Sequence, residues 1–284
     1  MCRFVLYMGD PIHVSSLVTV PENSLIHQSY DSREREEPLN GDGFGVVWYQ
    51  PDDHDEAALF RSITPAWNNR NLRHLARAVK SGCILAHVRA ASRGSPVNEE
   101  NTHPFVSGRY SFMHNGDFAA FRRHRRELMD LLDLRYYEMV EGTTDSECLF
   151  AHCLQQLGDV SSITAGDMAE ALQSAMAVFL STLGEGRDKP PSYVNAVLSN
   201  GREAVVSRFA SSSADTAASL HIHTGCLYTL RDGKAELVEA EEDRHAVIVA
   251  SEPLTDDASW RTVPESTMIL IDASRRVEFR TMKL

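Results

Sequence analysis

The chain has 284 residues, 43% of them hydrophobic and 24% charged, which is the composition of an ordinary globular protein with enough length for one large domain or two small ones. Its net charge of −12 argues against a nucleic-acid partner, because neutralising phosphates demands a basic surface. No stretch approaches the roughly 18 apolar residues of a membrane span, and the opening MCRFVLYM has no signal-peptide cleavage site, so a cytoplasmic protein with no membrane contact is expected.

Strand-like runs come first. Cys2 to Met8 is apolar, β-branched and aromatic. Phe44 to Tyr49 follows the Gly-rich turn NGDG, and Ala58 to Ile63 forms a third short run. Residues 67–80 place Leu72, Leu75, Ala76 and Val79 at helical spacing. Cys83 to Val88 is continuously apolar and suits a strand buried on both faces. Tyr110 to His114 reads as a strand ending in an Asn115-Gly116 turn.

A helical region follows. Phe121 to Leu132 is basic and amphipathic. Ser146 to Leu157 puts Leu149, Phe150, Cys153, Leu154 and Leu157 on one face, and residues 167–183 repeat apolar side chains at 3- and 4-residue spacing. Residues 184–191 and 211–217 read as loops. Strands return at Tyr193–Ser199, Ala204–Phe209, Leu220–His223, Leu227–Leu230, Ala246–Ala250, Met268–Ile271 and Val277–Arg280. Strands, then helices, then strands is not the alternation of a doubly wound sheet. It predicts an α+β fold of two sheets with helices outside, formed by residues 1–284 as a single domain.

The five cysteines are odd in number and irregular in spacing, with no CxxC pair, so neither a disulfide framework nor a zinc knuckle is expected. Cys83, Cys148, Cys153 and Cys226 sit in apolar runs and read as core. His221 and His223 alternate on a strand without nearby carboxylate or thiolate ligands, so they do not read as a metal site; no metal and no organic cofactor is expected.

Cys2 differs by position. Initiator Met is commonly trimmed before a small residue, which would leave the thiol and the α-amine of Cys2 on one terminal residue. Their intrinsic pKa values, about 8.5 and about 7.7–8.0, are close enough for the amine to serve as the thiol's general base. Four further segments carry candidate chemistry. Arg89, at the exit of ILAHVRAAS, either forms a structural ion pair or offers a bidentate fork to a carboxylate. His114-Asn115-Gly116 is either a turn or the amide and Gly N–H of an oxyanion hole. In TTDSE (143–147), Thr144 or Asp145 either caps a helix or, in the case of Asp145, binds an ammonium. The polar segment 92–100, with Gly94 and Pro96, reads as a lid.

In this order, MCRF, NGDGFG, AHVRAAS with VNEENTHPF, HNG and TTDSE resemble the class II, N-terminal-nucleophile glutamine amidotransferase domain over roughly residues 2–150. The full opening MCRFVLYMGDPI and VIVASEPLTDDASWRTVP (247–264) are similar to its stand-alone YafJ-like members, which extends the resemblance over nearly the whole chain. The resemblance implies a four-layer αββα sandwich of two mostly antiparallel sheets, completed by the C-terminal strands of 193–284. It implies Cys2 as nucleophile and Asn115 with Gly116 as the oxyanion pair. It also implies Arg89 as the clamp on a substrate α-carboxylate, Ser92 beside it, and Asp145 as the acid that holds the α-ammonium. NGDGFG matches a turn packed near the Cys amine, and His87 and His103 match frequent family positions while reading as structural. Where many members carry an aromatic residue or His near the Arg, this chain has Ala90 and Arg93.

The expected reaction is cleavage of the γ-amide of glutamine or another γ-glutamyl compound through a γ-glutamyl thioester. Because no synthase domain is evident in the sequence, hydrolysis of a γ-glutamyl peptide is favoured. The alternatives are a glutaminase delivering ammonia to a separate synthase subunit, and a non-catalytic protein that binds a γ-glutamyl ligand or a partner. The expected partners are the small-molecule substrate and a separate synthase or peptidase subunit.

Overall fold

The computed structural model describes residues 2–34, 39–50, 54–92, 94–160, 162–184, 190–212, 216–231, 234–239 and 245–284. Met1, Arg93 and parts of the expected loops 184–191 and 211–217 lie outside them. Two antiparallel sheets form the centre. The first runs β10 (Lys234–Glu239), β9 (His221–Arg231), β11 (Ala246–Ala250), β1 (Arg3–His13), β4 (Lys80–Val88), β2 (Phe44–Trp48) and β3 (Ala58–Ser62), with β12 (Arg261–Thr262) also on β9. The second runs β14 (Val277–Thr281), β13 (Thr267–Ile271), β8 (Ala204–Arg208), β7 (Tyr193–Ser199), β6 (Tyr110–Asp117) and β5 (Phe105–Ser107).

The alternation of side chains along each strand decides which layer it feeds. In β1, Phe4, Leu6 and Met8 face the second sheet and meet Met113, Val197, Val206 and Ile269 between the sheets. Val5 and Tyr7 face outward and pack against Leu17, Leu25 and Leu72 of the short helices α1 (Ser15–Val18), α2 (Leu25–Gln28) and α3 (Arg70–Ala78). The outer face of the second sheet is covered by α6 (Asp145–Leu157) and α7 (Ala165–Leu183), with α4 (Phe121–Asp130) and α5 (Leu134–Glu138) alongside. There Phe112 stacks on Phe150 at 5.5 Å, and Phe118 meets Phe179 at 4.7 Å. Each such ring withdrawn from water contributes about 1.5–3 kcal/mol. The layers are therefore helix, sheet, sheet, helix, as the strand–helix–strand order implied.

From Phe4 to Met8, strand β1 has no polar alternate because both of its faces are covered there. The strand expected to stop at His114 instead continues through Asn115 and Gly116 to Asp117, paired in register with Tyr193–Asn195 of β7. Gly116 makes this continuation steric. A Cβ there would sit 1.9 Å from the Tyr193 carbonyl oxygen, at φ +149°. The two late runs 220–223 and 227–230 are one strand, β9, with Gly225 at φ +91° inside it. Strands β5, β10 and β12 and helices α1, α2 and α5 are further elements. Each helix spans only four or five residues, too few to display a period.

Candidate active site

The site gathers where the first residues of β1, the exit of β4, the end of β6 and the start of α6 meet. Cys2 precedes β1 and is 9% exposed. Its Sγ accepts from the Ala90 N–H at 3.4 Å and lies 3.6 Å from the Ala90 carbonyl, toward which its S–H donates. The position of Ala90 is itself imposed by the NGDG turn. The Arg89 N–H donates to the Gly43 carbonyl at 2.8 Å, the Asp42 N–H donates to the Arg89 carbonyl at 3.1 Å, and the Ala91 N–H donates to Asp42 Oδ2 at 2.8 Å. Gly43, at φ +115°, lets this turn close against Ser62 and Thr102. The turn thus clamps the backbone that flanks the sulfur, a more specific position than the sequence suggested.

A second clamp comes from the far end of the chain. Arg3 is 1% exposed and pairs with the fully buried Glu252 at 2.9 Å, while its Nη1 donates to the Cys2 carbonyl at 3.3 Å. Glu252 also accepts from the N–H groups of Arg33 and Glu34 at 2.9 and 3.4 Å, and from the Ser32 hydroxyl. The VIVASEPL segment therefore fixes the entry to β1, a role that sequence reading did not assign. Its signal was an acidic residue two positions after a wholly apolar strand. Removing the acid strands a buried guanidinium. Glu252→Ala is expected to cost about 3–5 kcal/mol of stability, read from the urea midpoint.

Arg89 is 3% exposed. Its Nη1 donates to the Pro96 carbonyl at 3.1 Å and its Nη2 to Ser95 Oγ at 3.0 Å, so it holds segment 95–96 over the site. Among the described residues no carboxylate comes within ion-pair distance of it. Burial lowers its pKa, with Cys2 and Asp42 acting in the opposite sense. A buried guanidinium of this kind favours a carboxylate ligand over water. Asn101, fully buried, ties the same segment to the loop before α6. Its Nδ2 donates to the Pro96 carbonyl and to Thr143 Oγ1, and its Oδ1 accepts from the Thr143 N–H at 2.7 Å.

TTDSE opens α6. Thr144 is the cap, accepting from the Glu147 N–H at 3.2 Å. Asp145 is the first helical residue. Its Oδ1 accepts from the Ser146 N–H at 2.7 Å and its Oδ2 from the Phe118 N–H at 2.8 Å, so the carboxylate is fixed between helix and strand end. Asp117, beside it, has its carboxyl pushed up by burial and by the Asp145 charge. The amide of Asn115 is fully buried, and among the described residues neither its Nδ2 nor its Oδ1 has a partner. Leaving such groups unpaired costs about 1–3 kcal/mol each, a cost retained where a ligand supplies the partner.

Cys2, Arg89, Ser92, Gly116 and Asp145 all line one cavity of about 280 Å³, together with His103, His114 and Asp117. Asn115 is fully buried and is not among the residues lining the cavity, although its neighbours His114 and Gly116 are. His114 is held by Ser146 Oγ at 2.9 Å through Nδ1 and by the Tyr193 carbonyl at 3.1 Å through Nε2. His87 stacks on His103 at 4.4 Å. Burial pushes His87 down to about 3 and His103 well below the usual range, so both are neutral and neither supplies a cation to the site. Away from the site, burial pushes the thiols of Cys83 and Cys148 up to about 12, and that of Cys153 upward as well, as core thiols require. His221 pairs with Glu34 at 2.9 Å, and among the described residues no His, Cys, Asp and Glu cluster has metal-ligand geometry. No described helix is long and apolar enough to cross a membrane.

The family model for class-II glutamine amidotransferases matches residues 16–282. The chain belongs to this family. It is 39% identical over 295 residues to the probable glutamine amidotransferase DUG3 of Saccharomyces cerevisiae, covering 95% of this chain and 82% of that protein. It is 27% identical over 270 residues to the gamma-glutamyl-hercynylcysteine sulfoxide hydrolase of Mycolicibacterium smegmatis, covering 95% of each. A glutamine aminotransferase class-II domain protein from Silicibacter pomeroyi superposes over the whole of both chains with a TM-score of 0.67 at 26% identity. The fold is also shared with glutamine phosphoribosylpyrophosphate amidotransferase of B. subtilis, at a TM-score of 0.61 and 14% identity, with half of that chain covered. As a class-II glutamine amidotransferase the chain is an enzyme of amide cleavage, and its two sheets are those of the N-terminal-nucleophile hydrolases.

Proposed function

We propose that this amidotransferase hydrolyses the γ-amide of a γ-glutamyl compound through a thioester on Cys2. The observation that carries the reading is the single cavity lined by the Cys2 thiol, the Arg89 guanidinium and the Asp145 carboxylate. A cation and an anion facing one another are what an amino-acid head group needs. Arg89 takes the α-carboxylate, Asp145 takes the α-ammonium, and Ser92 supports the carboxylate side. Held at both ends, the substrate presents its γ-carbonyl to the sulfur, which turns an encounter between molecules into a positioned attack.

The thiol proton passes to the α-amine of Cys2 as the C–S bond forms. Asn115 Nδ2 and the Gly116 N–H take the negative charge of the tetrahedral intermediate. The amine's proton goes to the leaving nitrogen as the C–N bond breaks. Water then attacks the thioester, the C–S bond breaks, glutamate leaves, and the thiol is restored. The whole chain acts as one catalytic unit in this reading, since Glu252 and Arg3 of its two ends together hold Cys2. Hydrolysis of a γ-glutamyl compound is favoured by the similarity to the mycobacterial hydrolase over nearly its full length.

A substrate panel tests this reading. With glutamine, γ-glutamyl dipeptides and α-glutamyl dipeptides offered in turn, the γ-glutamyl dipeptides are expected to release their amine faster than glutamine releases ammonia. The α-linked controls are expected to be inert. Preference for glutamine would instead favour ammonia delivery to a separate synthase.

A further inference from the structure

The cavity holds more positive charge than glutamine can use. Arg89 answers the single carboxylate of glutamine, yet Arg122, the second residue of α4, also lines the cavity. It belongs to the run Arg122-Arg123-His124-Arg125-Arg126, a basic cluster in a chain of net charge −12. Among the described residues Arg122 makes no ion pair, whereas its neighbours Arg125 and Arg126 are engaged with the Gly142 carbonyl and Asp130. Arg122 also lines a second depression of about 430 Å³, with Ala119, Ala120, Arg123, His124, Leu183 and Pro190. The two spaces share Ala120 and Arg122. Arg122 therefore stands where the two spaces adjoin, and the second has apolar and cationic walls.

Two features of its surroundings bear on this guanidinium. Gly94 packs against it: a Cβ at position 94 would sit 2.9 Å from Arg122 Nη1, and the backbone there is at φ +77°. The positive φ favours glycine there, and a larger residue would displace the tip of Arg122. Asp117 shares the cavity wall, but burial and the Asp145 charge push its carboxyl upward, which weakens it as a counter-charge.

We propose that Arg122 binds a carboxylate carried by the amine that leaves, so that the substrate is a γ-glutamyl amide of an amino acid or short peptide. This deepens the γ-glutamyl hydrolase reading and rests on it. Glutamine and γ-glutamyl amides of uncharged amines fill the head-group end of the cavity and leave Arg122 without a partner. A leaving amino acid or peptide supplies one, as a charge pair at the cavity mouth, where Arg122 is exposed and solvent screens the contact.

The probes are γ-glutamylglycine and γ-glutamylmethylamide, which differ in the leaving amine's carboxylate. The measurement is kcat/KM for each, in the wild type and in Arg122→Gln and Arg122→Lys. Wild type is expected to prefer γ-glutamylglycine by roughly 3- to 5-fold, the range of a solvent-exposed charge pair. Arg122→Gln should collapse the preference to within about 1.5-fold, and Arg122→Lys should restore part of it. An absent preference in the wild type, or one that survives Arg122→Gln, overturns the proposal while leaving the hydrolase reading standing. Cleavage of neither compound by the wild type overturns the hydrolase reading, and the proposal with it.

Discussion

Cys2→Ala is expected to lower turnover of every γ-glutamyl substrate by roughly 10⁴- to 10⁶-fold, the scale at which a covalent nucleophile is lost. Binding should change by less than about threefold, because Arg89 and Asp145 still hold the head group. The contrast with the other thiols gives this prediction its force. Cys83 and Cys148 are buried in apolar surroundings that push them up to about 12, so neither can take over as thiolate. Cys83→Ala and Cys148→Ala should lose core packing but keep a measurable turnover. Cys2→Ser should be nearly as inactive as Cys2→Ala. The α-amine is matched to a thiol about one pKa unit away, not to a hydroxyl several units above it. The check is steady-state kinetics paired with calorimetric binding of a slowly cleaved γ-glutamyl amide.

The Asn115-Gly116 corner carries the second large effect. Asn115→Ala is expected to reduce kcat by roughly 10²- to 10³-fold, about 2.7–4 kcal/mol of barrier, with little change in KM. The reason is visible in the resting protein. The amide is fully buried and, among the described residues, neither of its polar atoms has a partner, so no protein hydrogen bond is lost with it; the oxyanion role requires its Nδ2 to reach the cavity that its neighbours His114 and Gly116 line. On this account Asn115→Ala folds as well as the wild type, and thermal unfolding monitored beside kinetics separates the two effects. A kcat within about threefold of wild type would remove Asn115 from the oxyanion site. Gly116→Ala behaves differently. Its Cβ would overlap the Tyr193 carbonyl at 1.9 Å, in a strand pair that His114 also ties to that carbonyl. That variant should lose stability as well as activity.

Much of this architecture was legible in the residues. The continuous apolar run at 83–88 announces a strand with two covered faces, and the strand-like run at 2–8 pairs with it at the centre of the first sheet. The helical spacing at 146–157 and 167–183 announces the layer that covers the second sheet. Cys2, Arg89, Ser92, Gly116 and Asp145 were each chosen from short segments, and the structure brings them to one cavity. What stayed hidden depended on partners distant in sequence. Asn-Gly signals a turn when read locally, but at 115–116 the close approach of Tyr193, 77 residues beyond Gly116, makes it a strand interior. Glu252 reads as one acid among many until Arg3 is found against it. Likewise, the basic character of 121–132 is plain in the sequence. Its bearing on substrate follows only from the packing that places Arg122 at the cavity.

The claim beneath all of these is that Cys2, with a free α-amine, bears the acyl group. The direct measurement is mass spectrometry of active enzyme quenched in acid during turnover of a γ-glutamyl peptide, as intact protein and as mapped peptides. The account predicts a chain that begins at Cys2, with one acid-stable γ-glutamyl adduct on the peptide carrying that residue. Fully active enzyme that retains Met1, or an adduct on any other residue, would contradict it.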